Sequence, residues 1–280
     1  MLALLKRNFT LYFRNRSGVF FSLLGALISF LLYIIFLQKN LTDAWSQLPD
    51  NTSLLNNWLM GGTLAVTGIT TSFTALTQMV QDRENHVDQD LILTDLGSWG
   101  LQASYLISSI VISFVMQLFM FVVMSLYFQE SPDWSHLAEV ALIMLLSSVL
   151  SSLVNALLIH RFQSVDSLGK LATIVGTASG FLVGTYVPLG VLPNFAQFLM
   201  KCTPATYIAS LYRQVLMKEQ LADTFVGNSD LLAEFQEKMG IVLKWKELLT
   251  KEQTYLIVVS ISLVAILLWL LLVKVSSKRK

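Results

Sequence analysis

The sequence predicts an all-α polytopic membrane protein, and three observations carry that prediction. Hydrophobic residues make up 54% of the 280-residue chain and charged residues only 13%, where soluble domains carry about 25% charge. Six stretches are long and apolar enough to cross a bilayer, which takes about 20 residues. Basic residues gather before the first stretch and after the last, as they do where both ends stay on one side. A mean hydropathy of +0.63 agrees. An apolar excess of this size exceeds what a soluble core could bury beneath a charged surface.

The first element expected is an interfacial helix over 1–17. In "MLALLKRNFTLYFRNRSG" the residues Leu2, Leu4, Leu5, Phe9, Leu11, Tyr12 and Phe13 interleave with Lys6, Arg7, Arg14 and Arg16. That pattern suits a helix lying among anionic headgroups; a flexible basic leader is the alternative. No short apolar run leads to a small-residue cleavage site, as a signal peptide would require.

Spans are expected at roughly 18–37, 58–80, 103–128, 137–159, 168–188 and 254–273. None carries Lys or Arg near its centre, where either costs about 2.5–3.5 kcal/mol. Trp58, Tyr127, Trp134 and Trp269 fall near span ends, as interfacial anchors do. Lys274, Lys278, Arg279 and Lys280 follow the last span, so both termini are expected in the cytoplasm and the span count is even. The loop at 38–57 holds only Lys39 and that at 129–136 no Lys or Arg, which suits the outside, while Arg161 and Lys170 mark an inner connector. Residues 199–252 contain seven basic and seven acidic residues, and the rule loses force in long loops.

Within the spans the polar residues are patterned. Thr63, Thr67, Thr70, Thr74 and Thr77 form a stripe in the second span, suited to helix packing or to lining a pathway. Gly176, Gly180 and Gly184, with Thr173 and Thr177 alongside, make two overlapping GxxxG steps in the fifth; ordinary packing or a dimer seam would use them. The fourth carries Ser147, Ser148, Ser151, Ser152 and Asn155, with Glu139 at its outer entrance. No span holds a carboxylate at its middle, which disfavours a proton- or sodium-coupled carrier.

Between the second and third spans, 81–102 forms a charged elbow: dense charge from Asp82 to Asp90, then Leu91, Ile92 and Leu93, then a break at Gly97. Such acidity facing anionic lipid favours a protein partner, or else a solvated turn. Beyond the fifth span, 189–252 is expected to form a re-entrant and external layer. Pro188 and Gly190 stop the span, 194–200 dips into the membrane, and Thr203 caps a helix opened by Pro204 that lies along the outer surface. Ser229 is expected to cap a further helix that Gly240 ends.

Several function classes are excluded. A net charge of +1 offers no nucleic-acid footprint, and one cysteine, Cys202, allows no disulfide framework. There is no HExxH, GxSxG or GxxxxGK[ST] motif, and His86, His136 and His160 lack metal-like spacing. No enzyme is indicated.

The elbow resembles the coupling segment of ABC type-2 exporter permeases. In "DRENHVDQDLILTDLGSWGLQASYLIS" Asp82, Arg83, Glu84, Leu91, Leu93 and Thr94 match, and Asp88 and Asp90 fall in the same acidic run. Where the family has a glycine shortly after the Glu this chain has Asn85 or His86, and Asp95 replaces the usual proline. The pattern Pro188-Leu-Gly190, Pro193, Pro204-Ala-Thr-Tyr207 and Arg213 is similar to the family's break after the fifth span. With the six-span order, the resemblance covers nearly the whole chain. It implies a transport subunit that pairs with a second permease, identical or homologous, and with two ABC ATPase subunits; ATP and Mg belong to those partners, and this chain binds no cofactor. It also implies a coupling role for 82–94. The threonine stripe and the glycine repeat suit a pathway bounded by the second and fifth spans, and the proline breaks suit an external gate at Pro188, Gly190, Pro193, Pro204 and Tyr207. The expected activity is export of an amphipathic or hydrophobic molecule (a drug, antimicrobial peptide or lipid) across a bacterial plasma membrane. The alternative is a membrane sensor or immunity protein that binds without transporting.

Overall fold

The computed structural model describes residues 1–46, 48, 51–129 and 136–277. The anchor Trp134 and the basic tail Lys278, Arg279 and Lys280 lie outside the described residues. Helix α1 (Leu2–Arg14) turns Leu4, Asn8 and Tyr12, one face at four-residue spacing, into the protein and leaves Leu2, Phe9 and Phe13 exposed. The Asn15 side chain then accepts from the Gly18 amide at 3.0 Å and caps α2 (Arg16–Leu32). A π-helical turn at Tyr33–Leu37 joins it to α3 (Gln38–Ala44).

The central element is α4 (Asn51–Glu84), most of whose residues are buried. It packs against α6 (Gly97–Phe128), α7 (Leu137–Ile159), α2, and the later helices α8 (Val165–Leu182) and α10 (Pro204–Leu216). Short α5 (Val87–Ile92) fills the elbow between α4 and α6. After α8 come a 3₁₀ turn at Leu189–Val191, α9 (Asn194–Lys201), α10, α11 (Lys218–Thr224), α12 (Ser229–Lys238) and the terminal α13 (Lys251–Ser277).

Hydroxyls and amides join α4, α6 and α7. Ser113 Oγ donates to the Gly68 carbonyl, Ser109 Oγ to that of Ser72, and Asn155 Nδ2 to Ser72 Oγ at 2.8 Å. Buried Gln117 reaches Ser148 Oγ at 2.8 Å and accepts from Tyr212 Oη at 2.7 Å. The serines of α7 thus work as helix-packing groups, since lipid supplies no hydrophobic drive between helices.

Two core clusters mark the two ends of the bundle. At the elbow end Leu4 packs with Leu101, Tyr105, Ile159, Leu168, Trp269 and Val273, so α1 and the last turns of α13 share that end. At the other, cap end, Tyr33 and Trp58 gather with residues of α10, α11 and α12.

Among the described residues, five helices are long and apolar enough to cross a membrane: Arg16–Ala44, Asn51–Glu84, Gly97–Phe128, Leu137–Ile159 and Lys251–Val275. The expected fifth span, 168–188, is not among them. Its helix α8 has 18 residues, about 27 Å at 1.5 Å per residue against a core of about 30 Å. Helix α8 ends at Leu182 because Gly184 takes φ +70°, a left-handed value open to glycine. The chain then folds back, with the Thr185 and Tyr186 amides donating to the Gly180 carbonyl.

The cap-end segment re-enters the bundle. Thr203, Pro204 and Ala205 line a pocket with Ile69, Leu150, Ser151 and Val154, placing the α9–α10 turn level with the middles of α4 and α7. Helix α10 does not lie on an outer surface as expected: Thr206 through Arg213 are all buried, between α4, α7 and α13. Its other faces carry the small residues Thr206, Ala209 and Ser210, which admit neighbouring helices closely. The helix does open at Pro204, but Thr203 Oγ1 donates back to Leu199 rather than capping it. Asn228, not Ser229, caps α12, its Oδ1 accepting from the Leu231 amide at 3.1 Å.

Candidate functional site

Three regions carry the predicted site residues: the elbow, a cleft beside α4, and the cap. At the elbow the first charges engage other parts of the same chain. Asp82 is buried and receives both Arg7 guanidinium nitrogens at 2.8 Å, Gln78 Nε2 at 2.8 Å and the Tyr105 hydroxyl. The hydrogen bond to Asp82 raises the Arg7 pKa above the ordinary guanidinium value. Arg83 donates to the carbonyls of His160 at 3.0 Å and Phe162 at 2.7 Å, holding the α7–α8 connector. Burial, then the charges of Arg83 and Arg161, lower the pKa of His160 there. Glu84 Oε2 accepts from the Val165 amide at 3.1 Å, at the start of α8. Asp82, Arg83 and Glu84 therefore bind α1, the α7–α8 connector and the start of α8 of their own chain.

The outward surface of the elbow lies further along. Asp88 is buried, whereas Gln89, Asp90, Leu93, Thr94 and Asp95 are exposed, and Leu93 is 86% exposed. Leu91, within α5, is half-buried, and the Thr94 hydroxyl donates to its carbonyl at 2.7 Å. His86 starts the turn into α5 with φ +61°, a conformation that favours glycine.

The cleft lies between α1, α2, α4 and α8 and measures about 770 Å³. It brings together Thr70, Thr74 and Thr77 of α4 with Thr173 and Thr177 of α8. Thr63 and Thr67 are not part of it; both are fully buried on α4. The glycine series is divided among three settings. Gly176 lines the cleft, with open space where a Cβ would stand. Gly180 is covered by the Tyr186 ring, and Gly184 forms the turn after α8. Because the helix ends before Gly184, the three make no continuous helical stripe.

At the cap, Arg213 is the largest departure from membrane chemistry. It is 1% exposed, and its guanidinium donates to the carbonyls of Trp58 at 3.3 Å, Gly240 at 3.3 Å and Gly184 at 2.9 Å. It also lies 4.7 Å from the Trp58 ring centre, a cation–π contact. A Cβ at Gly61 would meet Arg213 Cγ at 2.9 Å, and one at Gly62 would meet Arg213 Nη2 at 2.8 Å. These glycines let α10 and α4 approach around the charge.

The predicted gate residues lie along the segment that runs from the end of α8 into α10. Pro188, Pro193 and Pro204 stand at the starts of the 3₁₀ turn, α9 and α10. Gly190 lies against the Lys238 backbone, 2.5 Å from where its Cβ would be. Tyr207 donates to the Lys201 carbonyl at 2.8 Å and accepts from Trp245 Nε1 at 3.0 Å.

Residues 1–217 match the family model described as ABC-2 type transporter. The chain belongs to that family. No curated protein matches it. It is thus an ABC transporter permease, a multi-pass membrane subunit, and its family implies an ABC ATPase as partner.

Arg7, Gln78 and Tyr105 escape sequence reasoning as site residues. Arg7 and Asp82 are 75 positions apart, so no local pattern links them, although a basic residue on an otherwise apolar helix face is a signal to seek an acidic partner. Arg213 stands out as a charge in an apolar run, but its carbonyl partners carry no residue-type signature.

Proposed function

We propose that this permease is the membrane half of an ATP-driven exporter for amphipathic or hydrophobic molecules in a bacterial plasma membrane. Two copies, identical or homologous, would work with two ATPase subunits that bind ATP and Mg. In this reading the elbow end, with both chain ends, faces the cytoplasm, and α8 serves as the sixth crossing together with the segment after it. The cleft takes the substrate, and the re-entrant α9–α10 hairpin closes the outer mouth.

The observation that carries the reading is the two-sided construction of the elbow. Its outer surface offers an exposed leucine among acids and amides, suited to a cleft in a soluble subunit. Its inner residues are fastened to α1, to the α7–α8 connector and to the start of α8. A push on α5 is therefore delivered to α4 and α8, the two threonine-bearing walls of the cleft.

The test is substitution at the exposed tip in the reconstituted complex with its ATPase. Leu93→Asp leaves the fold intact, because Leu93 is exposed, and is expected to lower ATPase co-purification and abolish export. Glu84→Lys is expected to loosen the α8 start and uncouple hydrolysis from export. Full export by both variants would overturn the assignment of the elbow.

A further inference from the structure

We propose that the cleft selects uncharged amphiphiles whose polar end is rich in hydrogen-bond donors, such as hydroxyl or amide N–H groups. The inference rests on the reading of the cleft as the substrate path and adds the class of substrate. Among the described residues lining it, none is charged. A buried ion without a counter-charge costs several kcal/mol, so the wall chemistry already disfavours charged cargo. Arg14 and Arg16, exposed on either side of the lining residue Asn15, further repel cations at the elbow end.

The direction of the lining hydrogen bonds decides the rest. Besides Tyr12 and Tyr186, six hydroxyl-bearing residues line the cleft, and each of the six donates its proton to a carbonyl of its own helix. Ser22 donates to Val19 at 2.7 Å, Thr70 to Val66 at 3.1 Å and Thr74 to Thr70 at 3.0 Å. Thr77 donates to Phe73 at 3.3 Å, Thr173 to Gly169 at 3.2 Å and Thr177 to Thr173 at 2.8 Å. A hydroxyl has one proton and two lone pairs, so these groups present acceptors. With the Ser22 proton committed, the 2.8 Å contact to Tyr12 makes the tyrosine its donor, and the Tyr12 oxygen is left accepting too. One amide N–H of Gln78 goes to Asp82 and one of Asn8 to Ser108; the amides of Asn8, Asn15, Gln78 and Gln81 belong to the elbow-end part of the lining, and the threonine walls beyond them present acceptors.

A ligand donor adds a bond to an idle lone pair. A ligand acceptor must first draw a hydroxyl off its carbonyl. Along the threonine walls anions, which need donors, meet lone pairs instead. The apolar part of the ligand packs on Leu24, Ile28, Phe73 and Phe181.

The test uses the permease–ATPase complex in lipid nanodiscs, with a Gly176→Cys reporter on a Cys202→Ser background. Position 176 lines the cleft and has space for a side chain. Four probes share a dodecyl-length tail: glycerol monolaurate, its di-O-methyl ether, dodecyl phosphate and dodecyltrimethylammonium. The diol is expected to protect the cysteine from maleimide at roughly tenfold lower concentration than the other three, the effect of one or two hydrogen bonds. Thr74→Val is expected to weaken the diol and leave the ether unchanged. Equal protection by all four, protection by none, or preference for a charged probe would overturn the proposal. ATPase stimulation and export are read in the same samples. A charged probe that is exported leaves the exporter reading standing and removes the donor rule; diol protection without stimulation or export does the reverse.

Discussion

Replacing Arg7 with Met should release α1 from the bundle without changing the apolar packing beneath it. The Asp82 side chain is 4% exposed and that of Arg7 29%, so the substitution strands a buried carboxylate with only Tyr105 and Gln78 as donors. Breaking a buried pair from one side costs about 3–5 kcal/mol. Arg7 is open enough for water to replace part of its charge, which puts the expected loss near the low end, about 3 kcal/mol. Arg7→Met/Asp82→Leu removes both ions and should recover much of it, a coupling of about 2 kcal/mol in a double-mutant cycle. Two readouts apply in nanodiscs: the thermal midpoint, and hydrogen exchange of the α1 amides, whose protection should fall about 30- to 150-fold if docking weakens by about 2–3 kcal/mol. Additive substitutions, or unchanged α1 exchange in Arg7→Met, would refute the pairing as the fastening of that helix.

Two further substitutions test local backbone and packing claims. His86→Gly relieves the left-handed conformation, worth about 1–2 kcal/mol, against about 0.5–1 kcal/mol of added chain entropy; a small rise in thermal midpoint is expected, and a fall would contradict it. Gly62→Ala drives a Cβ to 2.5 Å from Thr185 Oγ1 and 2.8 Å from Arg213 Nη2. It should destabilise by about 1–3 kcal/mol, while Gly176→Ala, with nothing within 4 Å, should not; equal midpoints for the two would sink the socket.

Four spans were legible to within a few residues at most ends because each faces lipid along much of its length, and lipid contact writes itself into composition. The expected 137–159 coincides with Leu137–Ile159. The helix of the second span starts earlier than expected, at Asn51, because its first turns meet the protein cap and need not be apolar. The fifth differs at its end: 183–188 stays apolar, but apolarity cannot distinguish a continuing helix from a fold-back whose carbonyl partner is Gly180. Helix α10 shows the same limit in another form. One apolar side reads as a surface helix, and only the arrival of α7 and α13 covers the rest. At the elbow, charge density marks the segment, yet which of its charges are held by the chain itself depends on Arg7 and on the backbone at 160–165, far away in the chain.

The Arg213 socket has a genetic consequence. Its three hydrogen-bond acceptors are main-chain carbonyls, belonging to Trp58, Gly184 and Gly240. No codon change alters a carbonyl's charge, so a lost Arg213 has no complementary swap among these partners, unlike an arginine held by a carboxylate. Suppressors of an Arg213→Leu defect should therefore arise as refilling substitutions at Gly61, Gly62 or Thr185, and not as new acids or bases.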